Sequence, residues 1–401
     1  MQHRQRAARI AIAPRVGLHS SDGMTRIGFA YNQKPEPTAP TETSATEENA
    51  RADEEPPSSP CALATLAPPV FRLAPDDEFA EWDAAATIDA VEGALARHGD
   101  VIRLEATEDF PQRLRDARPD IVFNIAEGLR GPNREAHVPA ICEFYGVPYS
   151  GSDPFTLAAC LDKARTKEIL RAHRVPTPDW VLVRTAREAA SIDTGRLAYP
   201  LFAKPLHEGS SKGITERNFV PAAGALGAVV LELLERYQQP VLVERYLPGA
   251  EFTCGVLGNG DGARVLPIVG LDFSALPTGA LPIYGFEAKW LWDRSDDPLR
   301  IFACPAPITP ALRAEIEDVV LRTVTALGCR DWARVDVRLD ADGRANIVEV
   351  NPLPGILPDP ADNSCLPKAA RAAGLDYDAL IGACLEAAAA RQGVALDRSR
   401  A

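Results

Sequence analysis

Arg334, Asp336, Glu349 and Asn351 are the residues of this 401-residue chain whose types and spacing point most directly to chemistry. They lie in the stretch DWARVDVRLDADGRANIVEVNPLPG, residues 331–355. Arg334, Asp336 and Arg338 alternate with Val335, Val337 and Leu339, the period-2 pattern of a half-buried strand. Asp342-Gly343 between two such runs predicts a hairpin. With those two residues as the turn, Asp336 falls opposite Glu349 and Arg334 opposite Asn351, and opposed residues share one sheet face. Asp336, Glu349 and Asn351 then offer hard oxygen donors without His or Cys, which suits Mg²⁺ bound partly through substrate phosphates. Arg334 can hold the negative charge that develops in phosphoryl or acyl transfer. A solvated hairpin face with a cross-strand ion pair has the same pattern, so other stretches must decide.

Those stretches supply cations and loops. Lysine is scarce, found only at 34, 163, 167, 204, 212, 289 and 368, and a compact ammonium meets phosphate differently from a guanidinium. Residues 199–205 read as a short apolar strand ending near Lys204. Leu206-His207-Glu208-Gly209-Ser210-Ser211-Lys212-Gly213 follows, a loop of small residues whose backbone N–H groups can converge on phosphate oxygens. It lacks the GxxxxGK[ST] spacing of a P-loop, and an ordinary surface turn has the same composition. Glu244 closes the apolar run 240–247, placed for ribose hydroxyls or an adenine amino group, or for a surface ion pair. Residues 271–284 form a Gly- and Pro-containing loop long enough to act as a cover, leading to Glu287-Ala288-Lys289-Trp290.

The elements that must position these groups follow from periodicity. A helix over 84–98, strands at 101–104 and 120–124 and a helix over 109–118 predict a parallel sheet of the doubly wound type. Ligands of such sheets bind beyond the carboxyl ends of strands, which makes Glu127-Gly128, Gly131, Arg134 and Glu135 a candidate substrate wall, while their composition equally fits a plain surface loop. Asp153-Pro154 starts a helix, and 161–167 continue helically to about residue 173. A helix over 222–237, strands at 240–247, 252–257, 263–269 and 300–304, a helix capped by Thr309-Pro310 and a last helix over 377–389 complete the set.

Composition narrows the class. A net charge of −13 argues against a nucleic-acid partner, and no apolar run is long enough to predict a membrane span. The eight Cys show no CxxC spacing and read as reduced thiols of a cytoplasmic enzyme. Residues 1–23 are basic, and Met24 is the only other Met, so this extension reads as upstream of the true start or as a transit peptide. Residues of about 34–69, rich in Pro, Glu, Ser and Thr, read as a disordered acidic insertion.

Taken in order, DIVFN, GVPYSGSD, LDKARTK, VPTP, FAKPLHEGSSKG, VLVERYLPGAEFT, EAKW, CPA, RVDVRLDADG and EVNPLPG resemble the D-alanine–D-alanine ligase family of ATP-grasp enzymes over about residues 120–390. The resemblance implies an α/β fold: an N-terminal doubly wound parallel-sheet domain (24-162), then an ATP-grasp unit of two subdomains, 163-250 and 251-395, with a tail at 396-401. It implies an ATP-dependent carboxylate–amine ligase that joins two amino-acid-like or dipeptide-like substrates through an acyl phosphate. ATP and two Mg²⁺ or Mn²⁺ ions are the implied cofactors, and a homodimer the implied assembly. Lys163, Lys204 and Lys289 would contact phosphates, with Glu208, Ser210 and Ser211 on a mobile loop. Glu244 and Leu247 would meet adenine, and Glu251 the ribose. Asp336, Glu349 and Asn351 would hold metal, while Arg334 and the Gly355 amide stabilise the tetrahedral intermediate.

The sequence departs from the family pattern around the amino-acid pocket. The family's Gly-rich loop after the first strand, with a Glu for the first substrate's ammonium, is absent, which leaves Glu78, Glu81 or Asp83 for that role. A His common after the FN strand is Glu127 here, followed by Arg134 and Glu135. Ser364 can supply the family's carboxylate-binding Ser only across inserted residues, and Trp290 stands where Tyr is frequent. The other readings are a nucleotide-binding regulator that keeps the fold without turnover, and a kinase that stops at phosphate transfer.

Overall fold

The computed structural model describes residues 24–35, 79, 81–128, 130–195, 197–277, 280–285 and 299–397. The basic extension, nearly all of the acidic insertion, Glu78, Lys289 and Trp290 lie outside the described residues.

The first unit is β1 (Arg26–Tyr31), α1 (Ala85–Leu95), β2 (Asp100–Glu105), α2 (Phe110–Ala117), β3 (Ile121–Asn124) and α3 (His137–Tyr145). Its sheet is parallel throughout, in the order β2-β1-β3. Side chains of successive residues leave a strand on opposite faces, so helices can cover both. Ile27, Phe29 and Tyr31 pack with Ile88 and Val91 of α1, while Ala30 packs with Phe110, Leu114 and Val138 of α2 and α3. This is the doubly wound arrangement the periodicity predicts.

Two short helices follow, α4 (Pro154–Leu161) and α5 (Lys163–Ala172), where the sequence predicts helix continuing without interruption to about 173. The break is at Asp162, which is extended (φ −89°, ψ 97°) and whose carboxylate accepts from the N–H groups of Ala164 and Arg165. An Asp satisfies a helix start better than it tolerates a helix interior. The restart aims Lys163 at the cavity described below.

The second sheet is antiparallel, formed by β4 (Trp180–Val183), β5 (Leu201–Pro205), β6 (Phe219–Val220) and β7 (Val241–Arg245) in the order β4-β7-β5-β6. Helix α6 (Ala186–Ala189) and helix α7 (Ala223–Tyr237) cover one face, with Leu226, Val230 and Leu233 against Leu201, Ala203 and Val243.

The third sheet contains β8 (Glu251–Leu257), β9 (Arg264–Val265), β10 (Val269–Leu271), β11 (Phe302–Ala303), β12 (Trp332–Leu339) and β13 (Ala345–Asn351), with α8 (Pro310–Leu327) packed on it. The strand predicted over 263–269 is divided into β9 and β10 around Pro267, which has no N–H for a ladder. The strand predicted over 300–304 is reduced to β11.

The hairpin of β12 and β13 pairs Asp336 with Glu349 and Arg334 with Asn351, as predicted, but by another route. The loop closes between Asp340 and Arg344, with Gly343 left-handed at φ 77°, so three residues turn rather than two. That shifts the register by one, and pairing jumps from Val337–Ile347 to Asp336–Glu349, leaving Val348 as a bulge. The bulge restores the register at the chemically important positions.

Helices α9 (Cys365–Ala372) and α10 (Tyr377–Gln392) return the chain to the first unit, where α10 packs against α1. Trp332 stacks on Phe123 with ring centroids 5.2 Å apart, joining the hairpin to the parallel sheet. Among the described residues no helix is long and apolar enough to cross a membrane.

Candidate active site

The hairpin and its neighbour β8 build one wall. Register places Thr253 beside Asp336, and its hydroxyl donates to Asp336 Oδ1 at 2.9 Å. Arg334 reaches the same carboxylate through Nε at 3.2 Å and Nη2 at 3.0 Å. Its Nη2 also lies 4.0 Å from Glu349 Oε2. Lys163, delivered by the start of α5, stands 3.2 Å from Glu349 Oε1 and also donates to the Glu208 carbonyl. Burial is the largest influence on both acids. It leaves Asp336 above the usual carboxylate range, whereas Lys163, Lys204 and Arg334 together hold Glu349 below it. Asn351 Oδ1 accepts from the Leu353 N–H at 2.9 Å and turns the chain toward Gly355.

The opposing wall comes from the second sheet. Glu244 on β7 takes Lys204 of β5 on Oε1 at 2.6 Å and Lys167 of α5 on Oε2 at 2.7 Å. Burial disfavours the Glu244 charge, but the two ammoniums outweigh it and draw its pKa down to about 2. With one carboxylate between two ammoniums, buried Lys167 is the weaker cation, its pKa lowered to about 8. Glu251 is held by Arg338 at 2.7 Å, and Arg338 also donates to Tyr246 Oη at 2.9 Å and to the Pro282 carbonyl at 2.7 Å. Arg338 thus ties the cover loop to the sheet. Lys167 and Arg338 carried legible signals: Lys167 lies one helical turn from Lys163, and Arg338 follows Arg334 and Asp336 along one strand face.

The loop over 206–213 closes the top. Ser210 and Ser211 are left-handed at φ 50° and 61°, a conformation that costs on the order of 1 kcal/mol or more at a non-glycine residue and concentrates at ligand clamps. Gly213 has φ 70°, and a Cβ there would lie 2.5 Å from Pro205 Cγ. Ser211 Oγ donates to the Tyr284 carbonyl at 3.0 Å. The Glu208 carboxylate binds Lys212 at 2.7 Å and the Gln239 amide at 2.7 Å. Lys212 joins this loop to Glu81 at 3.0 Å. Glu81 also accepts from the Gly209 N–H at 3.0 Å and from Arg134 Nη2 at 3.0 and 2.8 Å. Burial raises the Glu81 pKa, but Arg134 and Lys212 reverse this and leave it at about 2.

Of the residues predicted around the amino-acid pocket, Glu127 lines the cavity, whereas Arg134 and Glu135 are buried behind it. Ser364 stands at the N-cap position of α9, but its hydroxyl donates to the Gly355 carbonyl at 3.1 Å and accepts from the Leu357 N–H at 3.2 Å. The inserted residues therefore loop out and bring Ser364 back to Gly355. Of the acids available for a substrate ammonium, Glu81 is committed to Arg134 and Lys212, while Asp83 lines the cavity with its pKa pushed up to about 7 by burial.

The groups at the front of these walls border one cavity of about 400 Å³, while Lys167, Lys212, Arg134 and Glu135 stand behind them. Lys163, Lys204, Glu208, Ser210, Ser211, Glu244, Leu247, Glu251, Arg334, Asp336, Glu349, Asn351, Gly355 and Ser364 all line it. Among the described residues no three His, Cys, Asp or Glu gather into a self-sufficient metal cage. Asp336, Glu349 and the Asn351 amide instead form a partial oxygen set, which fits a hard cation completed by substrate phosphate. The site can thus meet phosphate with ammoniums and with a hard cation held by the oxygen set, and present a guanidinium to a developing oxyanion.

The chain is similar to known proteins both in sequence and in fold. Residues 169–386 match the family model described as D-ala D-ala ligase C-terminus. A D-alanine–D-alanine ligase of Ectopseudomonas mendocina is 34% identical over 297 residues, 74% of this chain and 87% of that protein. An uncharacterized protein of Sinorhizobium fredii is 36% identical over 268 residues, 67% of this chain and 74% of that one. The crystal structure of a Bacillus anthracis D-alanine–D-alanine ligase complexed with ATP superposes with a TM-score of 0.62 at 21% identity, covering 92% of this chain and 99% of that one, a likeness of fold.

Proposed function

The chain belongs to the D-alanine–D-alanine ligase family and is an ATP-dependent ligase of the ATP-grasp fold, and from that premise we propose that its cavity binds ATP and a divalent cation and joins two amino-acid-like substrates. The convergence of Lys163, Lys204, Glu244, Arg334, Asp336, Glu349 and Asn351 on one cavity supports this reading. In it, residues 24-162 supply the pocket for the first substrate, and the units at 163-250 and 251-395 enclose the nucleotide.

A carboxylate oxygen of the first substrate attacks the γ-phosphorus, the P–O bond to ADP breaks, and an acyl phosphate forms. The second substrate's amine then attacks the acyl carbon, phosphate leaves, and the nitrogen loses its proton as the amide forms. Lys163 and Lys204 neutralise phosphate oxygens, and Glu208, Ser210 and Ser211 belong to the loop that excludes water. Glu244 and Leu247 face the adenine and Glu251 the ribose. Lys204 is bound to Glu244 and Glu251 to Arg338 in this structure, so nucleotide entry exchanges those partners. Asp336, Glu349 and Asn351 would hold Mg²⁺ or Mn²⁺, which neutralises phosphoryl oxygens when bound. Arg334 and the Gly355 N–H stabilise the oxyanion of the tetrahedral intermediate. Asp83 takes the first substrate's α-ammonium, and Ser364, at the N-terminus of α9, takes the second carboxylate where backbone N–H groups favour an anion. Exposed Phe144 and Phe155 offer apolar surface for a homodimer, which light scattering on the purified protein tests.

The deciding experiment is ADP and phosphate release from ATP and Mg²⁺ with pairs of amino acids, products being identified by mass spectrometry. Release that requires both substrates and disappears in the double variant D336A/E349A is expected. Tight ATP binding without turnover across a broad panel would support a regulator, and a stable phosphorylated product a kinase.

A further inference from the structure

The cations around the first-substrate end of the cavity are already matched, and one carboxylate facing the cavity is not. Arg134 gives its guanidinium to Glu81 and to the His207 carbonyl. Lys212 is shared by Glu81 and Glu208, and Lys163 by Glu349 and the Glu208 carbonyl. Lys34 is the cation whose charge bears on Asp83. Glu127 lines the same cavity yet has no hydrogen bond or ion pair among the described residues. Glu135, 7% exposed and likewise without such a partner among the described residues, is the acid whose charge bears on Glu127 most.

The backbone that presents Glu127 is fixed. The Ala126 N–H donates to Asn124 Oδ1 at 3.1 Å, the Gly128 N–H donates to Asn32 Oδ1 at 2.8 Å, and Trp82 Nε1 donates to the Gly128 carbonyl at 3.3 Å. Gly128 is left-handed at φ 81°, and a Cβ there would lie 2.2 Å from the Arg134 carbonyl. A preorganised carboxylate, pressed by a neighbouring acid and with no protein cation in ion-pair contact, is strongly disfavoured in its charged form unless something positive arrives. Burial and the charges of Glu135, Glu81 and Asp83 raise the Glu127 pKa well above its usual range against the pull of Arg134, so a cation at this position would also displace a proton.

We propose that Glu127 receives a second positive charge on the substrate whose carboxylate is activated, so that this substrate is an amino acid with a cationic side chain. This rests on the ligase reading and on Asp83 taking the α-ammonium; a neutral side chain would leave Glu127 unanswered.

Hydroxylamine tests the first pocket alone. It attacks the acyl carbon of the acyl phosphate, the C–N bond forms as the C–O bond to phosphate breaks, and a hydroxamate of the first substrate accumulates. The full-length protein is assayed with ATP, Mg²⁺, hydroxylamine and matched pairs of either configuration: 2,4-diaminobutyrate against 2-aminobutyrate, ornithine against norvaline, lysine against norleucine. The cationic member should win in kcat/KM by about 100-fold, and E127Q should lose most of that preference, read as the ratio of the two members within each protein. Preference for neutral members by the wild-type protein overturns the inference without touching the ligase reading, and so does a preference unchanged in E127Q. No hydroxamate from any amino acid overturns the ligase reading and this inference with it.

Discussion

Glu244 and Lys204 are joined at 2.6 Å across adjacent strands of the second sheet, on the wall of the cavity proposed to take the nucleotide. The same carboxylate holds Lys167 at 2.7 Å, so a small buried cluster keeps two ammoniums in position before any phosphate arrives.

One consequence is a separation of roles between these lysines. K204A should lower kcat/KM for ATP by on the order of 100-fold, because it removes a charge-assisted phosphate contact. K167M should chiefly destabilise the fold, by about 3 kcal/mol, since breaking a buried pair leaves Glu244 with one partner fewer. Steady-state kinetics paired with urea unfolding distinguishes the two. Equal kinetic damage from both substitutions would count against the assignment.

Arg334 should matter to the chemical step and not to nucleotide binding. R334A is expected to lower kcat by about 100- to 1,000-fold, the usual loss when an oxyanion donor is removed. ATP affinity measured by calorimetry should stay within a few-fold.

The Glu81 cluster locks the 206–213 loop to the first unit. E81Q should weaken its pairs to Lys212 and Arg134 and expose the loop to limited proteolysis. A double-mutant cycle of E81Q with K212M should show coupling of about 1–3 kcal/mol, as residues in one buried network do. Additive effects would mean that the loop is held elsewhere.

Buried acids with raised and lowered pKa values act in opposite directions on stability. Glu135 is pushed up to about 7, so its contribution is present at pH 4 and is lost as pH rises through 7. E135Q should therefore stabilise the protein at pH 8 by about 2–3 kcal/mol and have little effect at pH 4. Glu244 and Glu81 are drawn down to about 2, so their stabilisation is full above about pH 4.5 and fades toward pH 2. Chemical unfolding across this range reads both arms.

Much of this site was legible from residue spacing. Arg334, Asp336, Glu349 and Asn351 face one another as alternation in two strands predicts, and the doubly wound first sheet follows from its strand–helix pattern. The hairpin shows why local rules reach only so far. Its two-residue turn is a three-residue loop, and the bulge at Val348 compensates, a balance no period-2 pattern contains. The break at Asp162 was hidden because Asp is tolerated within a helix at modest cost, and the sequence alone does not say whether its carboxylate faces solvent or turns back to the N–H groups of Ala164 and Arg165. The Glu81 cluster was least legible: its members come from residues 81, 134, 208 and 212, and which acid answers which base depends on how the loop folds over the first unit. Helix α9 was missed because its short apolar stripe begins beside a Pro-rich segment, although its start at Ser364 sets that residue beside Gly355.

Asp331 precedes the hairpin, is wholly buried, and accepts from the Gly151 N–H at 2.8 Å, Asn259 Nδ2 at 2.8 Å and Arg391 at 3.0 and 2.7 Å. A single carboxylate thus fastens the exit of the first unit, the third sheet and the last helix. The consequence is architectural. A chain ending before Arg391 would bare an uncompensated interior charge where three segments meet, so it should fail to accumulate as folded protein in soluble expression, although every residue lining the cavity is still present. The far end of the chain acts as a keystone for a reaction chamber it never touches.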